Sequence, residues 1–313
     1  MTSRQTFHIT PYRTDEERRA AAALPIHERQ MLVKTALYPY PQFKAAQEFI
    51  RRFHYPIEGG LADTGNIGGL LGHSRTGKSA ICRYYAENIP PKLADDGEIY
   101  PVVYIPAASE MTPATMAERI YFETGARSVP SVKIPTLVRN ALLRLKRAGT
   151  ELVIIDDAQF LFFDRHRKHV AEFQSFVKQL ADLNSLNVLM VGEKRLQTFV
   201  RNIDYLVGRG GFPAKHIQAM GTDEIGMEHF RLLLEGIDKR MPFTASSRLS
   251  RAGWTYDFYR YSDGIIGRVM NLVRRAAYRA INDGTACIMR SHLHEESWSE
   301  LSVGATNDFF LEE

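Results

Sequence analysis

The sequence has 313 residues, 44% of them hydrophobic and 24% charged, and its formal net charge is +4, with a pI near 9.0. These values fit a soluble globular chain with one sizeable core and a smaller companion domain, and they exclude a fibrous or disordered class. No apolar run reaches the roughly 18 residues that span a bilayer, and the first residues lack the apolar stretch of a secretory signal.

In chain order, Pro11, Pro25, Pro39 and Pro41 punctuate a polar opening of about 40 residues. Residues 42–54 place Phe43, Ala46, Ile50 and Phe53 on one side and predict a helix, which PIEGG ends. NIGGLLG (66–72) predicts a strand entering a glycine-rich turn, followed by a helix over 79–89. YPVVYIP (100–106) predicts a second strand, and 136–147 an amphipathic helix with a basic outer face. ELVIIDD (151–157) is read as a strand ending in two aspartates, ahead of a helix over 168–183. NVLMVG (187–192) and HIQAM (216–220) complete the strand set. Near-continuous apolar strands separated by helices predict an α/β fold with a mainly parallel sheet covered on both faces. Beyond residue 221 the pattern turns helical, over 224–239, 241–260 and 265–282. The expected division is an N-terminal extension (1–40), a nucleotide-binding α/β domain (41–221), a helical lid (222–283) and a C-terminal extension (284–313).

The most specific motif is Gly72-His73-Ser74-Arg75-Thr76-Gly77-Lys78-Ser79, a full G-x-x-x-x-G-K-[ST] phosphate loop. Its glycines permit a tight turn whose N–H groups enclose phosphate oxygens, and the following helix points its positive end at them. Lys78 is expected to bridge the β- and γ-phosphates of ATP, and Ser79 to ligate Mg²⁺. Asp156, at the carboxyl end of a buried strand, is expected to complete the Mg²⁺ shell. Asp157 stands where many hydrolysing P-loop enzymes carry a water-orienting glutamate; it either acts in catalysis or caps the next helix.

Other candidates carry two readings each. Glu193, with Lys194 beside it, is either a γ-phosphate sensor acting through water or part of a turn. Arg209, in LVGRGGF, is either an arginine finger for a neighbouring subunit's nucleotide or an exposed charge, and Arg201 is a second choice. Arg268 opens the helix over 265–282 and is expected to reach the phosphates from the lid. Arg275 and Arg279 form either a solvated face or a surface for DNA or a partner. His166 and His169, and His292-Leu293-His294 read as a strand, lack the further ligands of a metal site. Phe160, Phe162 and Phe163, like Tyr256, Phe258, Tyr259 and Tyr261, are expected to cover apolar surface. Cys82 and Cys287 form no CxxC pair, so neither a disulfide framework nor a cysteine-rich zinc site is expected, and the cytoplasm is the expected setting.

LPIHERQ, LLGHSRTGKS, ELVIIDDAQFLF, FVKQLADLNSLNVLMVGEK, MPFTASSRL and SDGIIGRVMNLVRRAAYRAINDG occur in that order over residues 25–283. Together they resemble the TniB/TnsC family of AAA+ transposition regulators. The resemblance implies an ATP- and Mg²⁺-dependent adaptor, associated with DNA, that self-associates into a ring or helical filament around duplex DNA. It implies a DDE-type transposase and a target-selection protein or complex as partners, and no membrane. It gives the phosphate-loop roles to Gly72, Gly77, Lys78 and Ser79, the Walker B role to Asp156 and the lid-sensor role to Arg268. Asp157 departs from the family's glutamate, and Gln159 from the histidine of DE-x-H versions, so hydrolysis is expected to be slow. For DNA the region after YIPAASE is implicated, with Thr112, Thr115, Arg119, Arg127 and Lys133; the competing reading of Thr112 is an ordinary helix cap. Two other functions fit the same motifs: a helicase loader or replication initiator, and a nucleotide-regulated assembly adaptor without DNA.

Overall fold

The computed structural model describes residues 6–95, 97–163, 166–208, 210–298, 306 and 308–311. The chain forms two compact units, one of residues Gln42–Ile217 and one that joins Met1–Pro41 to Gln218–Glu313.

Among the described residues, the first unit is built on seven strands: β1 (Ile67–Gly72), β2 (Lys92–Ala94), β3 (Gly97–Ile99), β4 (Val102–Pro106), β5 (Leu152–Asp156), β6 (Asn187–Gly192) and β7 (Ala214–Ile217). Five of them form one sheet in the order β4-β5-β6-β1-β7, and every pairing in it is parallel. β2 and β3 form a separate antiparallel hairpin. Because crossover helices cover both faces, β1, β5 and β6 are buried at every position, which explains their unbroken apolar sequences. Helices Lys78–Glu87, Pro113–Glu123, Ile134–Arg147 and Arg167–Asp182 make the crossovers. On Ile134–Arg147, Leu137, Ala141, Leu142 and Leu145 are buried at helical spacing, opposite the basic face the sequence predicts.

The predicted strand over 216–220 is in fact β7, which starts two residues earlier and ends at Ile217. Its register is set by β1: Gly72 pairs with Ile217, and a Cβ on Gly72 would overlap the Ile217 carbonyl. Only glycine lets the two strands close at this point.

In the second unit, helices Glu224–Asp238, Ala252–Ser262 and Ile266–Asn282 follow the expected order. The predicted helix over 241–260 is shorter and begins at Ala252. Residues 244–251 instead wrap around the buried Asp238. Its carboxylate accepts from Ser246 Oγ at 2.5 Å, Ser247 N at 2.9 Å and Arg248 N at 3.3 Å. Arg18, from the N-terminal helix Asp15–Ala22, donates to the Asp238 carbonyl at 3.2 Å. Arg240, also buried, donates to the carbonyls of Ile9 and Gly236. Two buried guanidinium groups thus tie the opening of the chain to this helical unit.

The helix Ile266–Asn282 buries Val269, Leu272, Val273, Ala276 and Ala280 as one stripe. Arg275 and Arg279, on its flank, are held by a further helix, Arg290–Ser297. Arg279 bonds Glu296 at 2.9 Å and Glu295 at 2.7 Å, and Arg275 bonds the Glu296 carbonyl at 3.3 Å. Both side chains stay partly exposed, at 31% and 41%, so the pair is a partly solvated face whose charges are matched by glutamates. His292 and His294 lie on that same helix, not on the predicted strand. His292 accepts from Met289 N at 3.0 Å and lies 3.2 Å from Asp283, and His294 contacts the Phe309 carbonyl. Phe258 is fully buried against Phe310, whereas Tyr256 is 61% exposed. Among the described residues, no helix is long and apolar enough to cross a membrane.

Candidate functional site

The phosphate loop leaves β1 at Gly72 and enters the helix Lys78–Glu87. Gly77 has φ +92°, a left-handed conformation that a residue with a Cβ adopts only under strain. Arg75 also has positive φ (62°), and Thr76 Oγ1 closes the turn on the His73 carbonyl at 2.8 Å. His73, Ser74 and Arg75 are exposed, Thr76 and Lys78 are buried, and Ser79 is half-buried. Lys78 Nζ donates to the carbonyls of Gly72 and His73, at 2.9 and 2.6 Å. Burial lowers its pKa, while Asp156, Asp157 and Glu193 oppose the shift in that order among the carboxylates. The ends of β1, β5 and β6 therefore collect one buried cation and three acidic groups at the carboxyl edge of a parallel sheet, where open α/β folds bind ligands.

Asp156 is 2% exposed, and both its oxygens are engaged. Oδ1 accepts from Asp157 N at 3.0 Å, and Oδ2 accepts from the Tyr104 hydroxyl on β4 at 2.5 Å. Burial, then the adjacent Asp156 charge, pushes the Tyr104 phenol far above its ordinary pKa, so Tyr104 is a fixed donor. Tyr104 was not legible in the sequence, because its role depends on the pairing of Tyr104 with Ile154 across two strands. Asp157 sits just past β5 in a left-handed turn (φ 53°), a conformation that aspartate tolerates better than most residues. It does not cap the next helix: Ala158 is the N-cap, without a side-chain cap bond. Asp157 Oδ1 instead accepts from Gln159 Nε2 at 3.0 Å.

Glu193 pairs with Arg195 at 2.7 Å, not with Lys194. Phe162 is buried and stacks obliquely on Phe199, as does Phe163 edge-on, while Phe160 is 41% exposed. Arg201 is exposed at the end of the helix Arg195–Arg201. Arg209 lies outside the described residues. Arg268 bonds Asp263 at 2.6 Å within the helical unit. Thr112 and Thr115 form a reciprocal cap on the helix Pro113–Glu123, with Thr112 N donating to Thr115 Oγ1 at 2.8 Å and Thr115 N to Thr112 Oγ1 at 3.2 Å. Arg119, Arg127 and Lys133 are exposed beside it.

This arrangement is that of an AAA-type P-loop NTPase fold. More particularly, residues 62–200 match the family model described as AAA domain. No curated protein matches the chain. Among solved structures, the Aeropyrum pernix ORC2 protein in its ADPNP–ADP complexes is similar, with a TM-score of 0.53 and 16% identity over 83% of this chain and 67% of that chain. The ORC1 protein of the same organism in complex with DNA has a TM-score of 0.53 and 16% identity over 82% and 64% of the two chains. Cdc6p from Pyrobaculum aerophilum has a TM-score of 0.58 and 14% identity over 85% and 69%. The chain thus spans about two thirds of these proteins' length, and at such identities the likeness is one of fold.

Proposed function

We propose that the protein is an ATP-switched AAA+ ATPase that assembles on duplex DNA. The observation that carries the nucleotide reading is Lys78, buried at the phosphate loop and facing the charges of Asp156, Asp157 and Glu193. On binding, Lys78 exchanges the Gly72 and His73 carbonyls for phosphate oxygens, and the loop N–H groups hold the remaining phosphate charge. Ser79 and Asp156 are hard oxygen donors of the kind Mg²⁺ takes, and the Asp156 carboxylate retains lone pairs beyond those used by Tyr104 and Asp157. Mg²⁺ held there supplies charge neutralisation at the phosphates. Asp157 orients the attacking water. Arg268 serves as the nucleotide-responsive residue of a helical lid over 222–283, exchanging Asp263 for a phosphate, and Arg209 or Arg201 supplies a finger to a neighbouring subunit.

The DNA reading draws on two sources. Likeness to ORC and Cdc6 proteins, one of them solved with DNA, favours a replication initiator or helicase loader. The ordered motifs over residues 25–283 favour a transposition regulator of the TniB/TnsC kind, with a DDE-type transposase and a target selector as partners. Both forms share nucleotide-dependent assembly on duplex DNA, with phosphate contacts from Arg119, Lys133 and neighbouring groups.

Imaging with duplex DNA and a slowly hydrolysed ATP analogue tests the shared part. Rings or filaments are expected for the native protein and not for Lys78→Ala, which should also lose at least about a hundredfold in ATP turnover. Assembly independent of ATP, or normal nucleotide dependence in Lys78→Ala, would overturn it. Assembly under ATP that ignores DNA would favour the adaptor without DNA. Co-purification with a transposase or with a replicative helicase separates the two DNA readings.

A further inference from the structure

Asp157 is one methylene shorter than the glutamate usual at its position, and its neighbour supplies a device that bears on this. Gln159 opens the short helix Gln159–Phe162 and is 8% exposed. A carboxylate only accepts hydrogen bonds, so the carboxamide must present Nε2 to Asp157 Oδ1 and turn Oε1 away. Oε1 is buried without a hydrogen-bond partner. It rests against Gly192 at the end of β6, where a Cβ would overlap it, and where Leu196 lies 2.7 Å from the same Cβ position. The backbone of this turn is anchored to the same strand, because Ala158 N donates to the Val191 carbonyl at 2.8 Å.

Packing alone gives no reason for an amide here. A side chain of similar volume without polar atoms would fill the space beside Leu196 and leave no acceptor unsatisfied. The amide makes a connection that an apolar group does not. One end holds the Asp157 carboxylate, and the other abuts the Gly192-Glu193 segment.

We propose that Gln159 is a positioning residue that couples the end of β6 to Asp157. A shift of Gly192-Glu193 moves Oε1, and Nε2 passes the shift to the carboxylate that orients water. The left-handed turn and the short side chain of Asp157 leave its direction to this bond. The inference rests on the ATP hydrolysis proposed above.

The test compares Gln159→Met, Gln159→Ala and Gly192→Ala with the native protein in steady-state ATP hydrolysis, fluorescent-ADP binding and thermal melting. Gln159→Met, which keeps the volume, is expected to lower kcat at least about tenfold, with KM and ADP affinity held within about twofold. Gly192→Ala reaches the same amide from the other side. It should reproduce the loss and add nothing to Gln159→Ala. In an Asp157→Ala background Gln159→Met should have no further effect. A Gln159→Met protein that turns over at the native rate overturns the inference, as does a loss of kcat that persists in the Asp157→Ala background. Additive losses for Gly192→Ala and Gln159→Ala overturn the coupling to β6. A native protein that binds ATP without hydrolysing it overturns the ATPase reading and this inference together; native hydrolysis with an indifferent Gln159→Met overturns the inference alone.

Discussion

Burial and charge oppose one another at two side chains of the nucleotide-binding unit, and at both burial prevails and lowers the pKa. At Lys78 three carboxylates offset part of the burial penalty, so a buried ammonium is tolerated beside the phosphate loop. At His54 the shift is large. The ring is fully buried, stacked on Tyr55, with Nδ1 3.0 Å from the Tyr85 hydroxyl. Nε2 lies 3.2 Å from Glu151 but off the line a hydrogen bond requires. Burial brings its pKa down to about 4, against the partial support of Glu151. The unfolded chain therefore takes up this proton first as pH falls. The stability tied to neutral His54 is complete above about pH 6.5, drains away between there and about pH 4, and amounts to at most about 3 kcal/mol. Urea unfolding across that range should show the slope, and His54→Gln should remove most of it. The phosphate loop was legible because its backbone turn restricts residue types along one continuous stretch. Tyr104 and His54 were not, and Gln159 stood out only by its motif position without its bond to Asp157, since each acts through a partner on another element or across a turn, and such contacts leave no periodic signal.

At the scale of elements, apolar spacing located the buried strands and the crossover helices well. NVLMVG spans the whole of β6, for instance, because every residue in it faces a covered side. The expectation failed where polar groups set the path of the chain. Residues 241–251 carry enough apolar positions to suggest a helix, yet Asp238 draws Ser246, Ser247 and Arg248 into a turn. Replacing Asp238 with alanine would keep the carbonyl that Arg18 bonds but remove the buried carboxylate 4.0 Å from its guanidinium, and would leave the buried Ser247 N–H without its acceptor. The expected loss is about 3–5 kcal/mol in chemical denaturation, and an unchanged midpoint would refute the arrangement. The same limit explains Arg275 and Arg279. Their shared helix face could be seen in the sequence, but not the glutamates of Arg290–Ser297 that occupy them.

For the whole molecule, net charge and sheet order speak to different questions. The order β4-β5-β6-β1-β7 fixes the fold and gathers the site at one edge, while the +4 balance bears on partners. Contacts with DNA phosphates release counterions, so affinity for duplex DNA should fall at least about tenfold between 50 and 200 mM salt, with little dependence on base sequence. Fluorescence anisotropy at stepped salt concentrations measures this, and a flat response would count against phosphate contacts. The discontinuous helical unit has a consequence for biosynthesis. Arg18 meets Asp238 across 220 positions of the chain. At about 5–20 residues per second, translation delivers that partner about 10–45 s later. The sheet domain, one uninterrupted segment, can therefore finish folding on the ribosome while the opening 41 residues still lack their helices. Until then their apolar and cationic groups are open to chaperones.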